Sequence, residues 1–212
     1  RALAHMHNGS LDAARADHAV MVELGGRGVM APYWATITTA IDAELSLAEG
    51  ERAPALAWAQ RPAASEYRLA TTTRARILIR CGEHEQALAA LDALPQHEVF
   101  VNVSTLAERM RAEALFRLQR MSEAQRALRT ALDAARPFDL VLPFLIDGEA
   151  IRPLLHSYAH DEPADELVHR ILALIEDADP GRPTDAADLT RRELATLRGL
   201  ATGMTLSEIA AA

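Results

Sequence analysis

Apolar residues recur along this chain at three- and four-residue steps. One set is Trp34, Ile37, Ile41, Leu45 and Ala48; others are Ala87, Leu91 and Leu94, then Val103, Leu106, Met110, Ala114 and Leu118, then Ala124, Leu128, Ala131 and Ala135. Steps of this size put apolar side chains on one face of an α-helix. No stretch alternates apolar and polar residues for long enough to make a strand, so the pattern predicts an all-α fold without a sheet. Pro32 suits the first turn of a helix and Ser65 the cap before another.

Between the helical stretches a second pattern appears: a turn residue, four variable positions, then alanine. It occurs at Gly9 to Ala14, Gly50 to Ala55, Gly82 to Ala87 and Gln119 to Ala124. The spacing is uneven but lies near the period of tetratricopeptide-type helix–turn–helix repeats. The turn residue closes one helix, and a small residue near the start of the next lets the pair pack closely. The expected architecture is therefore a tetratricopeptide-like superhelix of antiparallel helical hairpins, although a compact bundle would show the same faces.

Composition sharpens this picture. Half of the 212 residues are hydrophobic but only 4% are aromatic, so alanine and leucine must build the core. The apolar run from Leu140 to Ile146 is too short to cross a bilayer, and no basic-then-apolar leader opens the chain. A single cysteine, Cys81, excludes an internal disulfide and fits a reducing cytoplasm. A start at Arg1 rather than Met suggests a piece of a longer protein. The formal charge of −8 argues against the chain as a whole being a nucleic-acid surface.

Beyond Ala135 prolines interrupt the helical pattern, and Gly148 is expected to redirect the chain. A further helix is expected from about 163 to 177. Residues 179–187, with two prolines and a glycine, read as an exposed linker. Two capping boxes follow. Thr190 and Glu193 form the first, flanked by Leu189 and Leu194; Thr205 and Glu208 form the second, flanked by Met204 and Ile209, with Gly203 ending the helix between them. Together with Leu197, these residues describe an αα-corner.

The string Leu189-Thr190-x-Arg192-Glu193-Leu194-x-x-Leu197-x-x-Leu200-Ala201-x-Gly203, continued by Glu208, Ile209 and Ala210, resembles the C-terminal DNA-binding domain of LuxR-type bacterial transcriptional regulators. It covers the first helix of that domain and the start of the second. Upstream, Phe144-Leu145-x-x-Gly148 followed by Leu154-Leu155 resembles the end of the superhelical region in MalT-like regulators. The resemblance implies a helical-repeat effector or partner domain over 1–178, the linker, and an incomplete helix-turn-helix over 188–212. It implies DNA as a partner of the full-length protein only. It also places Thr205 and Ser207 beside a DNA phosphate at the start of the second helix. Leu206 and Ser207 stand where the family commonly has Asn and Lys, which weakens that attraction. The ATP-binding P-loop module that such proteins carry upstream of their repeats has no match here.

Other candidate chemistry is sparse. His156 and His160 share a helix face at a spacing used by zinc sites, but there is no His-Glu-x-x-His pattern. A solvated helix end is the preferred reading, and no metal or cofactor is expected. Gly25-Gly-Arg-Gly28 lacks the Gly-Lys-Ser/Thr of a phosphate loop and reads as a connection between hairpins. Glu44, Glu49 and Glu51 read as helix-surface charge, and Cys81 has no catalytic signature around it. Tyr33, Trp34, Trp58 and Tyr67 fall on two consecutive hairpins. They are either an effector surface or inter-hairpin core, and the scarcity of other bulky residues favours core. With no nucleophile, base and orienting group together, an enzyme is not expected. The leading expectation is a cytoplasmic, non-membrane regulator whose repeats bind a small effector or a protein. The alternative is a tetratricopeptide-like adaptor that binds proteins and not DNA.

Overall fold

The computed structural model describes residues 10–25, 31–61, 68–94 and 100–177. The chain divides into two compact units, residues 1–173 and 174–212, and of the second only the end of the last described helix is seen. The linker over 179–187 and the helix-turn-helix over 188–212 lie outside the described residues. So do the residues assigned to them: Leu189, Thr190, Glu193, Leu194, Leu197, Gly203, Thr205, Ser207, Glu208 and Ile209. Tyr67, Gly9 and the Ser65 cap lie outside as well.

Every described element is helical, as the periodicity predicts. In chain order they are α1 (Leu11–Gly25), α2 (Ala31–Ala48), α3 (Arg52–Ala59), α4 (Arg68–Cys81), α5 (His84–Asp92), α6 (Val101–Arg117) and α7 (Met121–Ala135). A 3-10 turn (Arg136–Phe138), the single turn α8 (Leu142–Leu145), α9 (Gly148–Asp161) and α10 (Glu166–Asp177) follow. From α1 to α7 each helix packs on the next. In addition α2 packs on α4 and α4 on α6, so these alternate helices form a row, and α8 and α9 pack against α6.

The turns between hairpins repeat one backbone motif. Gly50 and Gly82 both have φ +89°, and Gln119 has φ 61°. In each case the left-handed residue donates to the carbonyl three back, and its successor donates to the carbonyl five back. The amide of Glu51 bonds Ser46 O at 2.8 Å, that of Glu83 bonds Leu78 O at 2.8 Å, and that of Arg120 bonds Leu115 O at 2.9 Å. These are Schellman closures, which satisfy helix-terminal carbonyls that would otherwise lack partners. Five residues after each turn residue stands the alanine of the sequence pattern. Ala14, Ala55, Ala87 and Ala124 are all 0% exposed, so the helix that follows each turn sits too close to its neighbour for a larger side chain.

Core placement follows the helical faces. Ala14 of α1 packs with Ile37, Ile41 and Leu45 of α2, with Tyr33 against their edge. On α7 the predicted face Ala124, Leu128, Ala131 and Ala135 is fully buried. The row helices differ, because they are covered on several sides. Thr105, Ala107, Arg109, Met110, Ala112, Glu113, Ala114 and Leu115 of α6 are all buried, which no single 3.6-residue stripe contains. Three boundary expectations change. Asp147, with φ 52°, rather than Gly148, redirects the chain, and Gly148 is the first residue of α9. The helix expected from about 163 begins at Glu166, and Pro153 lies inside α9 instead of ending it.

Candidate functional site

Among the described residues, all the buried polar and charged side chains lie on the row α2, α4 and α6. The threonines answer part of their need locally. Thr38 donates to Trp34 O at 2.9 Å, and Thr72 to Arg68 O at 3.0 Å, each one turn back along its own helix. The charged groups instead form two sets of ion pairs joined through main-chain carbonyls. Arg76 of α4 reaches Glu44 of α2 at 3.1 Å and Asp147, before α9, at 2.6 Å. Arg80, one turn further along α4, approaches the other oxygen of Asp147 at 3.5 Å. Arg109 of α6 bonds Glu113 at 2.9 Å and donates to the carbonyls of Ile146 and Asp147, the latter at 2.8 Å.

Burial and pairing act against each other in this network. Glu44 is 3% exposed, and burial pushes its carboxyl above the usual carboxylate range against the pull of Arg76. Burial likewise raises Glu113, opposed in part by Arg109. Burial lowers Arg109, which nonetheless stays a cation because guanidinium basicity is so high. Asp147 goes the other way: burial would raise it, but Arg76 holds it below the ordinary value. The reading of Glu44 as surface charge is thus corrected. α2 packs on α1, α3 and α4, and all of residues 37 to 47 except Thr39 and Asp42 are buried, so a residue beside the apolar stripe is buried as well.

Next to this network opens a cleft of about 570 Å³, lined by Arg52, Ile79, Arg80, Cys81, Gly82, His84, Glu113, Arg117, Asp147, Glu149 and Ala150. It brings together the last turns of α4 and α6 and the first turns of α3, α5 and α9. Arg52 is fixed across it by donating to Arg80 O at 3.1 Å. His84 has a buried Nδ1 with no hydrogen-bond partner. Burial, and next the nearby Arg117, lower the His84 pKa. The Cys81 thiol is raised by burial, which opposes formation of a nucleophilic thiolate.

The residues singled out from sequence are distributed elsewhere. Tyr33 and Trp34 meet edge to face, with ring centroids 5.8 Å apart, on the α2 side that faces α1. A Cβ at Gly25 would stand 3.0 Å from the Trp34 Cβ, so Gly25 is a close-packing glycine at the end of α1. Trp58 on α3 lies under the Arg74 guanidinium, 5.6 Å from the ring centroid. His156 and His160 are exposed on α9, and the described residues hold no group of three or more His, Cys, Asp or Glu placed to bind a metal. Glu49 is clamped by Arg15 of α1 through both carboxylate oxygens, at 2.8 and 2.5 Å. No described helix is long and apolar enough to cross a membrane.

Arg76, Arg80, Arg109, Glu113 and Asp147 were not anticipated. The one usable signal is Arg109 with Glu113, opposite charges one helical turn apart. No protein-family model, no curated protein and no solved structure matches the chain.

Proposed function

We propose that this chain is the helical-repeat, signal-receiving part of a LuxR-type transcriptional regulator of the MalT-like kind. DNA binding would reside in the helix-turn-helix that begins at residue 188. What carries the reading is an order of features: hairpins closed by one recurring turn, a proline-rich terminus ending in Leu154 and Leu155, and then the doubled capping boxes of residues 190–208. Hairpins related by a common turn, with alternate helices in a row, suit a tetratricopeptide-like superhelix. In such an array a ligand acts by favouring one arrangement of neighbouring hairpins over another. The ion-pair network joins α2, α4 and α6 to the segment before α9, so a ligand in the adjoining cleft would bias their packing.

The test is selection of random duplex DNA on the product of the intact gene. Enrichment of one recurrent sequence is expected, with no sequence-specific retardation by the 212 residues alone, because the resemblance to the DNA-binding domain covers only its first helix and the start of its second. Failure to enrich any sequence overturns the reading in favour of a protein-binding adaptor, and specific retardation by these 212 residues overturns the assignment of base contacts to a helix outside them.

A further inference from the structure

The cleft's uncommitted charge is positive. Its lining holds three carboxylates and three guanidiniums, but each carboxylate is already engaged. Glu113 is bonded by Arg109 at 2.9 Å, Asp147 by Arg76 at 2.6 Å, and Glu149 by Arg152 at 3.1 Å. Those three arginines lie outside the lining. Arg52 and Arg117, by contrast, form no ion pair among the described residues, and Arg80 reaches its carboxylate only at 3.5 Å. The three lining arginines come from three different helices: Arg52 opens α3, while Arg80 and Arg117 close α4 and α6. The first turns of α5 and α9 bring positive partial charge to the same space and the last turns of α4 and α6 negative partial charge, so the guanidiniums set its sign. His84 Nδ1 is buried there without a partner.

We infer that this cleft binds a dianionic phosphate group. Guanidiniums arriving from several directions suit the oxygens of a tetrahedral anion better than the two coplanar oxygens of a carboxylate. A volume of about 570 Å³ exceeds what a bare ion fills and lies within the range of small-molecule sites. The shared chemistry is therefore the phosphate, free or carried on a small organic molecule. The inference rests on the cleft and stands apart from any action on DNA.

The test is titration of the 212-residue chain with inorganic phosphate and, separately, with ribose 5-phosphate, at constant ionic strength. It is followed by calorimetry and by the His84 ring resonances. Phosphate should bind and shift His84, and Arg52→Gln and Arg117→Gln should each weaken binding at least fivefold. Both positions are exposed, so neither change disturbs the core. Arg126→Gln, an exposed arginine of α7 outside the cleft, should leave binding unchanged. Tighter binding of ribose 5-phosphate identifies a phosphorylated metabolite, and equal binding identifies free phosphate; both uphold the site. Absent binding, wild-type affinity in either cleft variant, or an equal loss in Arg126→Gln overturns it.

Discussion

The turn at Gln119 gives a quantitative handle on how this chain closes its hairpins. Positions 50 and 82 supply glycine with φ +89°, whereas position 119 forces an L-residue to φ 61°. The left-handed region costs an L-residue roughly 1–2 kcal/mol. Glycine visits it without that strain, but has more freedom to lose from the unfolded chain, a difference of about 0.4–1 kcal/mol. The Gln119 side chain makes no hydrogen bond among the described residues, so little else is lost on its removal. Gln119→Gly should therefore stabilise the protein by about 0.5–1 kcal/mol, the difference between those two effects.

Gly82→Ala is the mirror image. An added Cβ there meets nothing within 4 Å, so backbone strain acts alone and stability should fall by about the same 0.5–1 kcal/mol. The two turns belong to different hairpins and share no partner, so Gly82→Ala with Gln119→Gly should return close to the parent. Urea denaturation reads all three, with the midpoint moving and the slope constant. A lowered midpoint for Gln119→Gly, or a neutral Gly82→Ala, would refute the claim that left-handed closure is what these residues are selected for.

Packing and charge give two further expectations. Gly25→Ala would put a Cβ 3.0 Å from the rigid Trp34 Cβ and force α1 away from α2, at about 1–3 kcal/mol; loss of near-ultraviolet dichroism from Tyr33 and Trp34 reads it, and an unchanged spectrum and midpoint contradict it. Arg109→Met leaves Glu113 buried without its partner and should cost about 3–5 kcal/mol, while Arg109→Met with Glu113→Leu should recover the part due to the stranded carboxylate but not the bonds lost at the carbonyls of Ile146 and Asp147. Glu113 carries its own pH signature, because burial raises its folded value above the ordinary 4.5. Its contribution is full below the unfolded value and is lost as pH rises through the folded one. Glu113→Gln removes that loss, so its stability relative to the parent should climb as pH rises above about 4.5; parallel stability curves would exclude this.

How far the sequence could be read depended on how many sides of each helix are covered. α7 buries one face, and Ala124, Leu128, Ala131 and Ala135 were legible as that face from spacing alone. The turns were legible because left-handed closure selects glycine and close packing selects alanine five residues on. Gln119 was readable only by analogy with the other turns, since glutamine is no usual left-handed residue. α2 and α6 are covered on several sides, so their stripes widen until Glu44, Arg109 and Glu113 fall inside them. Periodicity assigns such residues to solvent. The cleft was not legible at all, because Arg52, Arg80, Arg117 and His84 come from four helices that only tertiary packing brings together. Aromatic clustering along the sequence likewise failed to show that Trp58 pairs with Arg74 while Trp34 pairs with Tyr33.

The concentration of buried charge on α2, α4 and α6 follows from what the rest of the core is made of. Alanine-rich helices approach closely but present shallow ridges, so apolar packing alone discriminates weakly between neighbouring registers. An ion pair across such an interface has the opposite character. It adds little net stability, because desolvation offsets much of the attraction, yet a slip of one turn leaves a charge buried without its partner. Arg76 spans the row in this way. It holds Glu44 on the preceding row helix and Asp147 beyond the following one, so a shift of either neighbour breaks a contact with the same guanidinium. Arg109 adds a second fastening, because it holds the backbone of residues 146 and 147 as well as Glu113. Asp147 meets both arginines from a left-handed backbone, with φ 52°, at the residue before α9. The network's position beside the cleft then gives a bound anion leverage over packing. An anion that drew Arg80 from its 3.5 Å contact would leave the Asp147 carboxylate ion-paired only with Arg76, the cation that also neutralises Glu44.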